Sequence, residues 1–167
     1  MPLTDPEMES LAAELGRRLA ARGARVATAE SCTGGLVAGA ITTIAGSSGW
    51  FERGYVTYSN DAKVEMLGVS QATLDGHGAV SEPIAREMAE GALQSSRADL
   101  AVAVTGVAGP GGGTAAKPVG MVCFAWAVRD GATAATTHHL PGDREAVRLA
   151  SVVIAIQGLI EKLGPAQ

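Results

Sequence analysis

Apolar residues follow two alternating patterns along this chain, helical spacing in some segments and short continuous runs in others. Leucines four residues apart predict an amphipathic helix over residues 6–22, capped by Thr4 or Asp5 and ended by Gly23. Further helices are predicted at residues 36–46, 60–67, 71–76, 82–96 and 144–163. The apolar runs predict strands at residues 25–29, 51–58 and 99–104, and a final hairpin from 119–128 and 132–140 that turns at 129–131.

The order of these elements is α, β, α, β, α, α, β, β, β, α. This order predicts one three-layer α/β/α domain over residues 1–167, because strands that alternate with helices pair in parallel beneath them. The sheet is expected to be mixed and mostly parallel, with an antiparallel hairpin at its end and helices on both faces. The longest segment without a predicted element, residues 105–118, has a length typical of functional loops.

The composition excludes several classes of protein. A hydrophobic share of 47% with a net charge of −4 excludes a disordered chain. The 22 glycines have no three-residue period, which excludes collagen. Two cysteines are too few for a disulfide scaffold, and we expect both to be free thiols.

Charge and hydropathy also suggest where the protein works and with what. The pI is about 5.3 and no basic stretch stands out, so no nucleic-acid partner is expected. The N-terminal sequence has neither the basic nor the apolar part of a signal peptide. The longest apolar run, residues 149–160, is shorter than the ~20 residues of a membrane span. We therefore expect a cytoplasmic protein without membrane association.

The last predicted helix is apolar around most of its circumference. Such a helix is buried either by its own domain or by a partner subunit. We expect a homodimer or a larger homo-oligomer.

Candidate chemistry begins with Glu30-Ser31-Cys32-Thr33-Gly34-Gly35, which lies between a predicted strand and a helix. A serine at such a turn can be an exposed nucleophile, and the backbone N–H groups that follow it can stabilise an oxyanion. A structural alternative is that Ser31 and Thr33 cap the helix while the two glycines allow close packing. Cys32 is a rival nucleophile.

A second polar segment, Tyr58-Ser59-Asn60-Asp61-Ala62-Lys63, follows the next strand. A serine nucleophile needs a base, and none of the three histidines comes with an evident acid partner. A desolvated Lys63 is the alternative base, which would take the serine proton either directly or through Tyr58 as a proton relay. Lysine is scarcer than arginine here, and arginine cannot give up its proton. The alternative is a solvated lysine beside a half-buried tyrosine.

A third segment, TGVAGPGGGT at residues 105–114, consists of loop-forming residues after a strand. Backbone N–H groups at Gly106, Gly109 and the glycines 111–113 could hold a phosphate, although the spacing is not that of a Walker A loop. The alternative is a flexible lead into the hairpin. Arg144 opens a helix against the helix dipole, which suggests an anionic partner in the protein or in a ligand.

Four motifs in this order resemble the C-terminal domain family of the competence/damage-inducible protein CinA. They are Ala29 to Gly35, Tyr58-Ser59-Asn60 with Lys63, Thr105-Gly106-x-Ala108-Gly109-Pro110, and Lys117-Pro118-Val119-Gly120. The resemblance runs from about residue 6 to residue 163. It implies hydrolysis of nicotinamide mononucleotide to nicotinic acid mononucleotide and ammonia, in pyridine nucleotide recycling, with no cofactor and no metal. The family's serine nucleophile, assisted by lysine and tyrosine, corresponds to Ser31, Lys63 and Tyr58.

The remaining candidates are substrate-binding residues. We expect Thr33, Gly34 and Gly35 to provide the oxyanion donors, and Asn60 and Thr105 to orient the ribose or the amide. Gly106, Gly109 and Arg144 are the candidates for the 5′-phosphate. Two other functions stay open at this stage: an amidase for another small amide, and a non-catalytic nucleotide-binding or interaction module.

Overall fold

The computed structural model describes residues 5–165 and contains six α-helices, one short 3-10 helix and five strands. The helices are α1 (Pro6–Arg22), α2 (Leu36–Thr42), α3 (Asn60–Leu67), α4 (Gln71–His77), α5 (Glu82–Gln94) and α6 (Arg144–Leu163). The strands are β1 (Val26–Glu30), β2 (Phe51–Val56), β3 (Leu100–Gly106), β4 (Met121–Val128) and β5 (Thr133–His139). The 3-10 helix, Ser47–Gly49, precedes β2.

All five strands form one mixed sheet in the order β2-β1-β3-β4-β5. β1 pairs in parallel with β2 on one side and with β3 on the other. β3 with β4, and β4 with β5, are antiparallel. The predicted mixed α/β/α fold is confirmed, with the parallel pairings together at one end and the hairpin at the other.

Most predicted element boundaries are confirmed within one or two residues, and one is wrong by four. The helix predicted over residues 36–46 ends at Thr42, because the Thr42 and Thr43 hydroxyls donate to carbonyls of the preceding turn and compete with the helix pattern. The strand predicted over residues 51–58 ends at Val56. There Ser59 begins α3 by accepting a hydrogen bond from the Ala62 N–H.

The two faces of the sheet differ in the size of their side chains. β3 alternates Ala101 and Ala103 on one face with Val102 and Val104 on the other. The alanine face packs under α5, together with α3 and α4, while the face with larger residues packs under α1, α2 and α6. α5 can therefore approach the sheet closely, because alanine leaves little side chain between helix and strand.

Helices α1 and α6 pack against each other and close the large-residue face. Asp5 caps α1 by accepting hydrogen bonds from the N–H groups of Glu7 and Met8; Thr4, the other candidate cap, lies outside the described residues. Most apolar side chains of α6 are buried by the domain itself, including Val147, Val152 and Ile156. Within residues 5–165, no helix combines the length and apolar character needed to cross a membrane.

Candidate active site

Most of the residues predicted to carry chemistry converge at one edge of the sheet. β1, β2 and β3 run in the same direction, so their carboxyl ends lie side by side, and β1 is flanked by strands that follow it in the chain. In open α/β sheets this position is where ligands bind. A cavity of about 320 Å³ opens there, lined by Ser31, Cys32, Tyr58, Asn60, Lys63, Ala79, Val80, Thr105–Gly109, Gly111, Gly112 and Arg144.

Ser31 lies immediately after β1, and a hydrogen bond from its N–H to the Val104 carbonyl (2.9 Å) fixes it against β3. The buried Glu30 organises the turn that follows. Its carboxylate accepts hydrogen bonds from the Thr33 hydroxyl (2.7 Å) and from the N–H groups of Val37 (2.8 Å) and Ala38 (3.1 Å). Glu30 is therefore the side chain that caps α2, a role that the sequence analysis left to Ser31 or Thr33.

Lys63 is the largest fully buried side chain of the described residues, with 1% of its surface exposed. Its Nζ lies 3.1 Å from Ser31 Oγ and donates to the Thr57 carbonyl at 2.8 Å. Burial lowers the pKa of this amine below the ordinary lysine value, since the charged form loses its hydration. The described residues show no ion pair for Lys63. The arrangement favours a neutral amine beside the serine hydroxyl.

Tyr58 lies at the mouth of the cavity and 61% of its surface is exposed. Its hydroxyl accepts a hydrogen bond from Arg144 Nη2 (3.0 Å), and Arg144 Nη1 donates to the Gly109 carbonyl (2.9 Å). The structure thus brings Tyr58 together with Arg144, and it places neither Ser31 nor Lys63 in hydrogen-bond contact with the phenol. Both of these acceptors are neutral, so these two contacts do not compensate the charge of Arg144, which lines the cavity.

The glycine-rich loop contributes Gly106, Gly109, Gly111 and Gly112 to the lining of the cavity. Gly109 and Gly112 adopt positive φ angles of 84° and 85°, a backbone geometry that suits glycine. A Cβ at Gly109 would lie 2.5 Å from the Val119 side chain, so the loop also packs too closely for a larger residue. The predicted loop candidates Gly106 and Gly109 both line the cavity.

Asn60 and Thr105 also line the cavity, as expected. Thr105 is buried, and its hydroxyl donates to the Ala79 carbonyl at 2.9 Å, which ties the segment before α5 to the end of β3. Lys117, from the fourth motif, reaches the other end of this segment through a hydrogen bond to the His77 carbonyl. These two contacts shape the wall formed by Ala79 and Val80, which sequence reasoning did not anticipate.

The predicted oxyanion donors Thr33, Gly34 and Gly35 do not line the cavity with Ser31 and Cys32. The Thr33 side chain is buried against Glu30, and the Gly34 N–H donates to the Ser31 carbonyl at 3.0 Å. The Thr33 N–H has no acceptor among the described residues. The Gly35 N–H has none either, so two of the three predicted donors are unused within residues 5–165.

Cys32 lines the same cavity, but its thiol is poorly suited to act as a nucleophile. It is a buried free cysteine, and burial raises its pKa to about 11. Since the thiolate is the reactive form, this shift disfavours a cysteine mechanism near neutral pH. In residues 5–165 no cluster of three or more His, Cys, Asp or Glu side chains is placed to hold a metal ion.

Comparison with known proteins gives consistent matches along nearly the whole chain. The family model described as CinA C-terminal domain matches residues 8–163. Nicotinamide-nucleotide amidohydrolase PncC of Escherichia coli K12 is 55% identical over 157 residues, covering 94% of this chain and 95% of that protein.

Two solved structures share the fold. The competence/damage inducible protein CihA of Agrobacterium tumefaciens superposes with a TM-score of 0.93 at 51% identity, covering 96% of this chain and 98% of that one. The competence damage-inducible protein A of Klebsiella pneumoniae gives 0.91 at 44% identity, covering 96% and 99%.

Proposed function

The chain belongs to the CinA C-terminal domain family, and on this premise we propose that it is a nicotinamide-nucleotide amidase. It hydrolyses the carboxamide of nicotinamide mononucleotide to nicotinic acid mononucleotide and ammonia, which serves NAD recycling. The name of the Escherichia coli relative supports the reaction. The observation that carries the mechanism is the contact of 3.1 Å between Lys63 Nζ and Ser31 Oγ inside the cavity.

We propose Ser31 as the nucleophile and Lys63 as its base. A neutral lysine amine has two donor hydrogens and one lone pair. Because one hydrogen is held by the Thr57 carbonyl, the lone pair is free to face the Ser31 hydroxyl. Lys63 takes the Ser31 proton directly while Oγ forms a bond to the carboxamide carbon. Tyr58 is not needed as a relay for this step.

The same lysine completes the reaction. The protonated Lys63 gives its proton to the amide nitrogen as the C–N bond breaks, and ammonia leaves. A water molecule then attacks the acyl group on Ser31 and gives its proton to Lys63. When the ester bond breaks, Ser31 recovers this proton, and nicotinic acid mononucleotide is released. The Thr33 N–H is our candidate donor to the oxyanion, and losing one such donor typically costs roughly a hundredfold or more in rate.

We propose that the opposite end of the cavity holds the 5′-phosphate. The support is the Arg144 guanidinium, whose hydrogen bonds to Tyr58 and Gly109 engage neutral groups, together with the positive-φ glycines that line the same cavity. In this arrangement Tyr58 orients Arg144 and contacts the nucleotide. Asn60 and Thr105 line the same cavity, and we propose that they contact the ribose or the amide.

An assay of the purified protein against three substrates tests this function. We expect nicotinic acid mononucleotide and ammonia from nicotinamide mononucleotide, and poor turnover of nicotinamide and of its riboside, which lack the phosphate. Efficient turnover of free nicotinamide would favour the alternative function, an amidase for another small amide. Binding of the nucleotide without any product would favour a non-catalytic module.

We further propose that residues 1–167 act as a single domain in the cytoplasm, where phosphorylated nucleotides are retained, and that the protein forms a homodimer. The support for the dimer is a second cavity of about 390 Å³ on the outer side of α6, lined mainly by apolar residues such as Leu149, Ala150 and Val153. Light scattering of the wild type and of Val153→Asp tests this: we expect a dimer that the aspartate converts to a monomer. A wild-type monomer would refute the proposal.

A further inference from the structure

Arg148 lies one helical turn after Arg144 on α6 and contacts the backbone of the turn that follows Ser31. Its Nε donates to the Cys32 carbonyl at 3.1 Å and its Nη2 to the Thr33 carbonyl at 3.4 Å. A Cβ at Gly34 would lie 3.3 Å from Arg148 Nη2, so the guanidinium packs directly against the turn. Residues four apart lie on the same side of a helix, which explains why one helix supplies both arginines to this region.

The Cys32 carbonyl belongs to the same peptide unit as the Thr33 N–H. In a trans peptide these two groups point in opposite directions, so a guanidinium that holds the carbonyl also fixes the direction of the N–H. A cation on the carbonyl further polarises the peptide and strengthens the N–H as a donor. The N–H groups of Cys32, Thr33 and Gly35 have no acceptor among the described residues. Of these three, the Thr33 N–H is the one whose peptide carbonyl accepts a hydrogen bond from Arg148.

The turn is held from its opposite side by the buried carboxylate of Glu30, which accepts a hydrogen bond from the Thr33 hydroxyl. Thr33 is thus held at two points: its hydroxyl donates to the Glu30 carboxylate, and its carbonyl accepts from the Arg148 guanidinium. The Ser31 N–H is anchored separately to β3 through the Val104 carbonyl. Arg148 therefore contributes little to the placement of Ser31 itself and much to the orientation of the peptides that follow it.

We propose that Arg148 is a positioning residue that aims and polarises the Thr33 N–H toward the oxyanion formed when Ser31 attacks. This inference rests on Ser31 being the nucleophile, as proposed above. It gives α6 a second role: Arg144 binds the substrate, and Arg148 supports the chemical step. It predicts that loss of Arg148 lowers kcat and leaves KM nearly unchanged.

The test compares Arg148→Met with Arg129→Met. Arg129 is a matched control, because its guanidinium also donates to backbone carbonyls, those of Ala98 and Leu93, at a distance from the cavity. We expect Arg148→Met to lower kcat for nicotinamide mononucleotide at least tenfold, with KM within about twofold of the wild type. Arg148→Lys should recover part of the rate, since it restores one charged donor. Arg129→Met should lower the melting temperature without lowering kcat per folded molecule.

A second readout is independent of the nucleotide substrate. A fluorophosphonate probe forms a bond from its phosphorus to a nucleophilic serine oxygen and releases fluoride. Mass spectrometry over a time course identifies the labelled residue and measures the rate of labelling. We expect Ser31 to be labelled at least tenfold more slowly in Arg148→Met than in wild type or Arg129→Met. If Arg148→Met is labelled slowly but the wild type does not hydrolyse the nucleotide, the proposed substrate is wrong and the proposed role of Arg148 stands. Equal labelling rates in folded Arg148→Met and wild type, or no labelling of wild-type Ser31, would overturn the inference.

Discussion

At the scale of single residues, Lys63 carries the most information. Sequence reasoning selected it because lysine is scarce in the chain and because no histidine had an acid partner. The structure adds what spacing could not give, a direct contact to Ser31 and nearly complete burial. The relay through Tyr58 was one of two options from sequence, and the geometry supports the direct transfer.

The pH dependence of the reaction tests the state of Lys63. Because burial lowers its pKa, the neutral amine forms at a lower pH than for an exposed lysine, and kcat/KM should rise with pH and reach its plateau below the ordinary lysine pKa of about 10.4. Lys63→Met and Lys63→Arg should each lower kcat/KM by about a thousandfold or more. If Lys63→Arg keeps the rate, a neutral lysine is not the base.

Arg144 makes a separate prediction about substrate recognition. Arg144→Met should raise KM for nicotinamide mononucleotide about tenfold to a hundredfold, since it removes a charged contact to the phosphate. KM for nicotinamide riboside, which has no phosphate, should change little. Arg17→Met is the control, because Arg17 pairs with Glu14 on the exposed face of α1. Equal effects of Arg144→Met on both substrates would contradict a phosphate site there.

At the scale of elements, sequence patterns identified each α-helix and strand of the described residues. They missed the 3-10 helix at Ser47–Gly49 and the features that depend on tertiary contacts. The helix caps at Asp5, Ser59 and Asp143 follow from local preferences for polar caps. The cap of α2 does not, because the capping carboxylate comes from the last residue of a strand. Arg148 could be found only by noticing that it lies four residues from Arg144.

The packing of α5 against the end of α3 provides a test at this scale. A Cβ at Gly91 would lie 1.9 Å from the Leu67 carbonyl oxygen, and backbone cannot yield easily there. Gly91→Ala should lower the free energy of unfolding by roughly 1–3 kcal/mol or more. In α4, a Cβ at Gly76 meets no atom within 4 Å. Gly76→Ala should therefore raise the free energy of unfolding by about 0.4–1 kcal/mol. Urea unfolding of both variants checks the pair, and equal effects would contradict the packing.

At the scale of the whole molecule, the fold follows from the order of elements and from the size of side chains on the two faces of the sheet. The chain contains many alanines and glycines, but their positions in the sequence do not reveal which face of the sheet they occupy. In the structure the small residues bring α5 against the sheet, and the larger ones lie under α1, α2 and α6. Segments far apart in sequence meet at the carboxyl edge because three adjacent parallel strands end there.

Burial of Lys63 also has a consequence for the stability of the molecule. Its pKa is lowered in the folded protein and ordinary in the unfolded chain, so unfolding takes up a proton in the pH window between the two values. The stability contributed by this group therefore increases as pH rises through that window. Urea unfolding should show that wild type gains stability relative to Lys63→Met between neutral pH and pH about 10. A constant difference would mean that the pKa is not lowered.

The most direct test of the account is ammonia release from nicotinamide mononucleotide by the wild type and by Ser31→Ala, measured side by side on folded protein. We predict turnover by the wild type and a loss of about a thousandfold or more in Ser31→Ala, with nucleotide binding retained. Ammonia release by Ser31→Ala at a rate near that of the wild type would contradict Ser31 as the nucleophile.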